Sequence, residues 1–173
     1  MADVRKMTMG EICEIADIPK ETGRTRMKGL RWLGEVKGWA RFDLPSTVRV
    51  AVHAEVMRQT GSSDVSVQAA DFAAESLQNF VRTPPFMISR KGIMGESTLL
   101  FRRSGIDSTS WRMTWCRSTD QALNELGSAT ADSINYHGLA SFLFVNVGTV
   151  TDWAINRIFD LQGISGNEAT VPQ

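Results

Sequence analysis

The spacing of apolar residues predicts a mostly helical chain with a small sheet in its middle. Apolar side chains recur every three or four positions over residues 9 to 16 and again over residues 27 to 33, the spacing of two amphipathic helices. Pro19 lies between these segments and favours a turn, because proline disfavours helical geometry in the residue before it and fits the first turn of the next helix. The predicted order is therefore helix, tight turn, helix.

Local patterns mark where further elements begin. Thr8 and Glu11 have the spacing of a capping box, which starts a helix. Gly34 and Gly38 bracket a short turn, and Trp39 and Phe42 follow as aromatic residues with Arg41 between them, which predicts a short hairpin or wing. A third helix follows, with Ser46 placed to cap it. Its apolar face carries three valines spaced four apart, Val48, Val52 and Val56.

A polar stretch at residues 61 to 68 is predicted to be a linker between a first domain, residues 1 to 60, and a second, residues 69 to 173. The second domain begins with an alanine-rich helix and continues as strands. One strand is expected to turn Trp111, Met113 and Trp115 to a single buried face. Ser118 and Gln121 then have capping-box spacing, and helices return. The predicted fold class is α+β, mostly helical, with an N-terminal winged helix-turn-helix, a small antiparallel sheet in the middle and C-terminal helices.

Charge changes along the chain although the formal net charge is zero. Residues 1 to 60 carry a net charge of +3 and residues 61 to 81 carry −3. Residues 82 to 117 carry +5 and residues 118 to 173 carry −5. A basic block can mark a nucleic-acid surface, or it can pair with the acidic blocks inside the fold. Both interpretations remain open.

The densest positive charge lies on the second predicted helix, at Arg24, Arg26, Lys28 and Arg31. Helix, turn, cationic helix and hairpin is the order of a winged helix-turn-helix, whose second helix lies in the major groove of DNA. A guanidinium can bind a phosphate or the O6/N7 edge of guanine with two hydrogen bonds. Lys37 and Arg41, on the predicted wing, can reach adjacent phosphates. The alternative is an amphipathic surface helix with solvated charges.

Several positions between residues 8 and 58 match a known pattern: Pro19 near the turn, Gly38-Trp39 before a wing strand, Phe42 followed by Leu44-Pro45, and then a helix with Arg49 early in it. In these features the segment resembles the winged-helix DNA-binding domain of the phage Mu transposase and repressor. The resemblance implies duplex DNA as a partner. The wing looks shorter than the glycine- and lysine-rich loop of that family, so minor-groove contact is not implied.

A second helix-turn-helix is predicted at residues 136 to 158, from the apolar spacing of Leu139, Leu143, Val145, Val150 and Trp153, with Asn146 as a cap. The stretch is similar to the helix-turn-helix of many phage and transposon proteins, small terminase subunits among them. Its candidate DNA or protein contacts are Phe144, Thr149, Thr151, Asn156 and Arg157. Because its surroundings are acidic, we expect it to bind DNA poorly. A helix pair used for packing or oligomerisation, with Phe144 at the interface, is the alternative.

Basic residues also alternate with aromatic ones in the predicted middle sheet, at Arg90, Lys91, Phe101, Arg102, Arg103, Trp111, Arg112, Trp115 and Arg117. Such a surface can bind a single strand, with bases stacked on rings. The simpler interpretation places the tryptophans in the core and the arginines in water.

Enzyme chemistry finds little support in the sequence. The Walker phosphate loop, the HExxH motif and the GxSxG elbow are absent. Cys13 and Cys116 are far apart in sequence, so neither a zinc spacing nor a disulfide framework is indicated. We expect no catalytic residue, metal or cofactor. The most apolar run contains Asn146 and Asp152, which argues against a membrane span, and we expect a cytoplasmic protein.

The sequence thus predicts a sequence-specific double-stranded DNA-binding protein of phage or mobile-element type, acting as a transcriptional regulator and forming a homo-oligomer. The alternative is a phage DNA-packaging protein similar to a small terminase subunit, or a virion assembly or interaction protein.

Overall fold

The computed structural model describes residues 2–21, 41–83, 87–91, 93–104, 110–133 and 139–172. These residues form an α+β fold with small antiparallel sheets, which confirms that part of the predicted fold class. Their helices are α1 (Met9–Ile15), α2 (Leu44–Thr60), α3 (Ser63–Val81), α4 (Thr119–Ser133) and α5 (Val147–Leu161). Their strands are β1 (Met7–Thr8), β2 (Arg41–Phe42), β3 (Met87–Ser89), β4 (Thr98–Ser104), β5 (Arg112–Cys116), β6 (Leu139–Val145) and β7 (Glu168–Thr170).

Helices α2 and α3 form a hairpin with a very short connection. Asp43 caps α2 by accepting the N–H of Ser46 at 2.9 Å, so the predicted cap at Ser46 is wrong by one helical turn. Gly61 ends α2 with a left-handed backbone, φ 65°, which glycine adopts without strain. The oxygen of Ser62 then caps α3. The predicted linker at residues 61 to 68 therefore needs correction, because all but its first two residues belong to α3.

One apolar core contains side chains from most of these elements. The valines predicted on one face of the third helix, Val48, Val52 and Val56, are all fully buried. Ala69, Ala70 and Ala73 of α3 belong to the same buried cluster. The same core includes Ile12 of α1, Ile158 of α5 and Leu99 of β4. The division into domains at residue 60 stays a prediction, but the buried cluster includes residues from both sides of it.

The middle sheet has the order β5–β4–β6, and both pairings are antiparallel. One face, with Leu99, Phe101 and Val145, belongs to the main core. The other face is partly covered by α4, through a smaller cluster of Leu100, Cys116, Ala122, Leu126 and Phe144. Both faces therefore carry buried side chains, which corrects the prediction of a single buried face. Trp115 is 47% exposed and is not a core residue.

Strand β3 pairs with β7 near the end of the chain, not with the central strand β4. Arg90 follows β3 and holds this region together. Its guanidinium donates to the carbonyl oxygens of Ile164 and Gly166, to the side-chain oxygen of Asn156, and to Asp160 at 2.7 Å. It also lies over the ring of Phe159 at 5.1 Å. Arg90, predicted as part of a basic sheet surface, is instead a structural residue.

The predicted helix-turn-helix at residues 136 to 158 is wrong. Leu139–Val145 is the strand β6, paired along β4, and only Asn146 separates it from α5. The apolar run that ends at Val145 packs on both faces of a sheet. In the sequence, a strand buried on both faces is a short run of apolar residues, and such a run can also match the apolar spacing of a helix. The predicted cap is confirmed, since Asn146 accepts the N–H of Thr149 at 2.9 Å.

Candidate nucleic-acid interface

Helix α1 begins with the capping box that the sequence predicts. The N–H of Glu11 donates to the Thr8 hydroxyl at 3.3 Å, and the N–H of Thr8 donates to the Glu11 carboxylate at 2.7 Å. Arg5 also donates to Glu11, and this bond lowers the pKa of the Glu11 carboxyl to about 2, with the Thr8 bonds contributing in the same direction. The start of α1 is thus fixed by local hydrogen bonds and one ion pair.

A tight turn ends α1. The N–H of Ile18 donates to the Cys13 carbonyl at 2.9 Å, and the N–H of Asp17 donates to the Glu14 carbonyl at 3.3 Å. This pair of bonds is a Schellman motif, which needs a left-handed residue, and Asp17 supplies it with φ 53°. Helical structure resumes at Lys20, directly after Pro19. The predicted turn between α1 and a following helix is therefore present.

Arg58, near the end of α2, braces this turn. Its guanidinium donates to the carbonyl oxygens of Ala16 and Asp17, each at 3.2 Å. It also pairs with Glu55 on its own helix, and the carboxylate of Asp17 lies 3.7 Å away. A helix far away in sequence thus fixes the angle at which the chain leaves α1.

Helix α5 supports α1 from another direction. Arg157 donates to the Glu14 carbonyl at 2.8 Å while its guanidinium lies over the ring of Trp153. Gln162, just beyond α5, exchanges two hydrogen bonds with the backbone of Arg5, at 2.9 and 3.0 Å. The N-terminal turn is therefore held from α2 and from the C-terminal helix.

The chain returns to the same place after the cationic segment. Strand β2 pairs antiparallel with β1, with Thr8 opposite Arg41 and Met7 opposite Phe42. Lys20 lies beside the first turn of α1, since its Cε is 3.9 Å from where a Cβ on Gly10 would be. Both ends of the segment 22–40 are therefore anchored close to the start of α1.

Of the residues predicted to contact DNA through the first motif, Arg41 is described and is exposed. The others lie outside the described residues: Arg24, Arg26, Lys28, Arg31 and Lys37. Two further exposed cations, Lys6 and Lys20, lie at the described ends of the motif. Sequence reasoning did not single them out, although Lys6 directly precedes β1 and Lys20 directly follows Pro19.

The contacts predicted for the second motif are mostly used inside the fold. Thr151 is fully buried and its hydroxyl lies 3.4 Å from the sulfur of Met94, so it cannot contact DNA. Asn156 bonds to the backbone of Arg90 and Asp152, and Arg157 bonds to Glu14. Thr149 is exposed at the start of α5.

Phe144, the predicted interface anchor, packs against the smaller cluster under α4. Burial raises the pKa of the neighbouring Cys116 thiol, with Glu125 acting in the same direction. This surface is therefore a small apolar core between the sheet and α4.

Across the described part of the chain, no three or more His, Cys, Asp or Glu side chains are grouped so that they could hold a metal ion. Among the same residues, none of the helices is long and apolar enough to cross a membrane. No protein-family model matches the sequence, and a search of curated proteins finds no significant match.

Proposed function

We propose that this protein binds double-stranded DNA through residues 8 to 58 and acts as a sequence-specific regulator of phage or mobile-element type. One observation carries the proposal: a capped helix, a tight turn and the start of a second helix are followed by a strand that pairs back onto β1. Strand, helix, turn, helix and returning strand is the connectivity expected of a winged helix-turn-helix.

The charge of the enclosed segment supports the same proposal. Residues 22 to 40 contain five basic residues and one acidic residue, a net charge of +4. Arg24, Lys28 and Arg31 share one face of the predicted helix, where they can bind phosphates or guanine edges. Arg41, exposed beside Thr8, extends the positive surface to the base of the predicted wing.

The bracing of the turn explains how such a helix would be aimed. Base readout requires that the recognition helix enter the groove at a fixed angle. Arg58 and Arg157 fix the backbone of α1 and of the turn by bonds to carbonyl oxygens. In this proposal they are positioning residues, because they act on the helix through the turn and do not touch DNA.

A salt-dependent titration tests the proposal. The full chain is added to a fluorescently labelled duplex at about 50 and about 200 mM salt, and anisotropy is recorded. We expect binding that weakens steeply with salt, because each phosphate contact contributes about 0.9 to the log–log slope. Selection from random duplexes should then return a common sequence. No binding at the lower salt concentration, or no enriched sequence, would remove the proposed regulator function.

A packaging or assembly protein remains the second candidate, and one observation favours it. Large apolar side chains are about half exposed at Phe80, Trp115, Leu123 and Phe142. Exposed apolar side chains mark contacts between proteins where they lie together, as the rings of Phe142 and Phe144 do at 5.6 Å. The helix-turn-helix that first suggested a terminase-like ring is a strand and a helix, so that part of its support is gone. Mass in solution separates the two: a large ring favours packaging, and a monomer or dimer favours the regulator.

A further inference from the structure

Three residues form a row across one end of the middle sheet. Arg102 of β4 lies directly opposite Arg112 of β5 on one side and Phe142 of β6 on the other. Residues directly opposite each other in antiparallel strands point to the same face. The ring of Phe142 is 48% exposed and meets Phe144 edge to face at 5.6 Å. We call Arg102, Arg112 and Phe142 the Arg–Phe row.

The pairing of Arg102 with Arg112 is unfavourable unless something neutralises it. Like charges directly opposite in a sheet destabilise it. Among the side chains that the structure describes, no carboxylate forms an ion pair with either arginine, and Arg102 donates to the Thr114 hydroxyl at 3.0 Å. Among the described residues, carboxylate partners are seen at Arg5, Arg49, Arg58 and Arg90. Arg102 and Arg112 instead lie directly opposite each other as like charges. A departure of this kind from the rules of strand pairing is expected at functional surfaces.

We propose that the Arg–Phe row binds single-stranded nucleic acid, with an unpaired base stacked on Phe142 and phosphates held by Arg102 and Arg112. The row combines the two features such sites require, a cationic track and an exposed ring in line with it. Adjacent strands lie about 4.8 Å apart, so the three residues are neighbours on one face of the sheet. A duplex would use the arginines but not the ring, because its bases are already stacked.

This binding goes beyond the duplex contact proposed for residues 8 to 58 and uses different residues. The two sites lie on different elements, since the Arg–Phe row is on β4, β5 and β6. Each can therefore be removed without touching the other. If the unmodified chain binds oligothymidine but no duplex, the regulator proposal alone fails. If it binds a duplex but no oligothymidine, the proposal for the Arg–Phe row alone fails.

The chain offers matched controls for the ring and for the charges. Phe80 is a similarly exposed phenylalanine, at 45%, on α3. Arg82 and Arg117 are exposed arginines, and the second directly follows β5 at the opposite end of the same sheet. Binding is measured by anisotropy with a labelled oligothymidine of about 15 nucleotides, within the usual range of site sizes.

We expect Phe142→Leu to weaken oligothymidine binding by at least about five-fold, the lower end for loss of one stacked base. Phe142→Trp should keep the affinity, and Phe80→Leu should leave it unchanged. The double variant Arg102→Gln with Arg112→Gln should reduce the log–log salt slope by about 0.7 for each lost contact. The matched pair Arg82→Gln with Arg117→Gln should leave the slope unchanged. Thermal melting of each variant checks that the fold is intact.

Three results would overturn the proposal. One is equal affinity of wild type and Phe142→Leu for oligothymidine. The second is equal weakening by Phe142→Leu and Phe80→Leu. The third is competition by oligoglutamate as strong as that by unlabelled oligothymidine, which would make the row a general anion-binding surface. If the melting temperature of Phe142→Leu is lowered, the Phe142→Trp variant is used instead. A folded Phe142→Trp protein that binds oligothymidine about five-fold more weakly than wild type would also contradict the stacking role.

Discussion

Two regions, residues 8 to 21 and residues 139 to 161, were both predicted to contain a turn between two helices, but they are built differently. In the first, α1 stops at a Schellman turn with left-handed Asp17, and helical structure resumes after Pro19. In the second, the strand β6 passes through Asn146 directly into α5. The first presents a turn and the start of a second helix at the surface. In the second, most of the described side chains are buried or half-buried, and Arg157 supports the first region.

The comparison of the two regions shows which sequence feature indicates a turn between helices. Apolar spacing is similar in both. In the first region two residue types change the backbone, a proline and a residue that tolerates the left-handed conformation. The second lacks the proline between Leu139 and Val150, and it contains the consecutive apolar residues typical of a strand buried on both faces.

The largest predicted effect concerns the second region. A Cβ added to Gly148, in the first turn of α5, would lie 2.1 Å from the carbonyl oxygen of Gly95. Since that neighbour is backbone, Gly148→Ala should destabilise the fold by about 1–3 kcal/mol, measured by urea unfolding. Gly127 of α4 is the matched control, with nothing within 4 Å of its added Cβ. Gly127→Ala should stabilise the fold by up to about 1 kcal/mol. Equal effects would contradict the close docking of α5.

A smaller effect is expected at the first region. Arg58→Gln removes bonds to the carbonyl oxygens of Ala16 and Asp17, so stability should fall by about 1–2 kcal/mol. Duplex affinity should fall as well, because the turn would no longer hold one angle. Arg82→Gln, at an exposed position, should change neither quantity. If Arg58→Gln loses stability but keeps full duplex affinity, the bracing of the turn has no part in binding.

The local contacts were readable from the sequence because both partners lie within one helical turn. Thr8 and Glu11 form the expected capping box, and Asn146 caps α5. At α4, Gln121 donates its N–H to Ser118 as expected, but its side chain accepts the N–H of Arg117.

The distant contacts were not readable. Arg58 and Arg90 bind carbonyl oxygens 41 to 76 positions away in sequence. Every residue type has a backbone carbonyl, so no pattern in the sequence indicates which carbonyl an arginine binds. The pairing of β3 with β7 was also not predicted, because it joins two strands that are far apart in sequence.

The smallest effect concerns pH. The pKa of Glu11 is lowered to about 2 by Arg5 and by the capping bonds. Because this folded-state pKa is below the unfolded value, the stabilisation is present above about pH 5 and is lost as pH falls toward 2. Arg5 is 54% exposed, so we expect only about 1 kcal/mol after solvent screening.

Glu11→Gln keeps a capping side chain but removes the charge. Its stability should differ most from that of wild type near neutral pH, and the two curves should converge as pH falls toward 2. Parallel curves from pH 7 to about pH 2 would show that the Glu11 charge contributes nothing to folding.

The most direct test of the central claim removes charge from the proposed recognition helix. Arg24→Ala with Arg31→Ala is compared with Arg82→Ala with Arg117→Ala, an equal loss of charge elsewhere on the full chain. Duplex binding is measured across a series of salt concentrations. We predict that the first pair weakens binding and reduces the log–log slope by about 0.9 for each contact, while the second leaves both unchanged. Equal slopes and affinities for the two double variants would contradict DNA binding by residues 8 to 58.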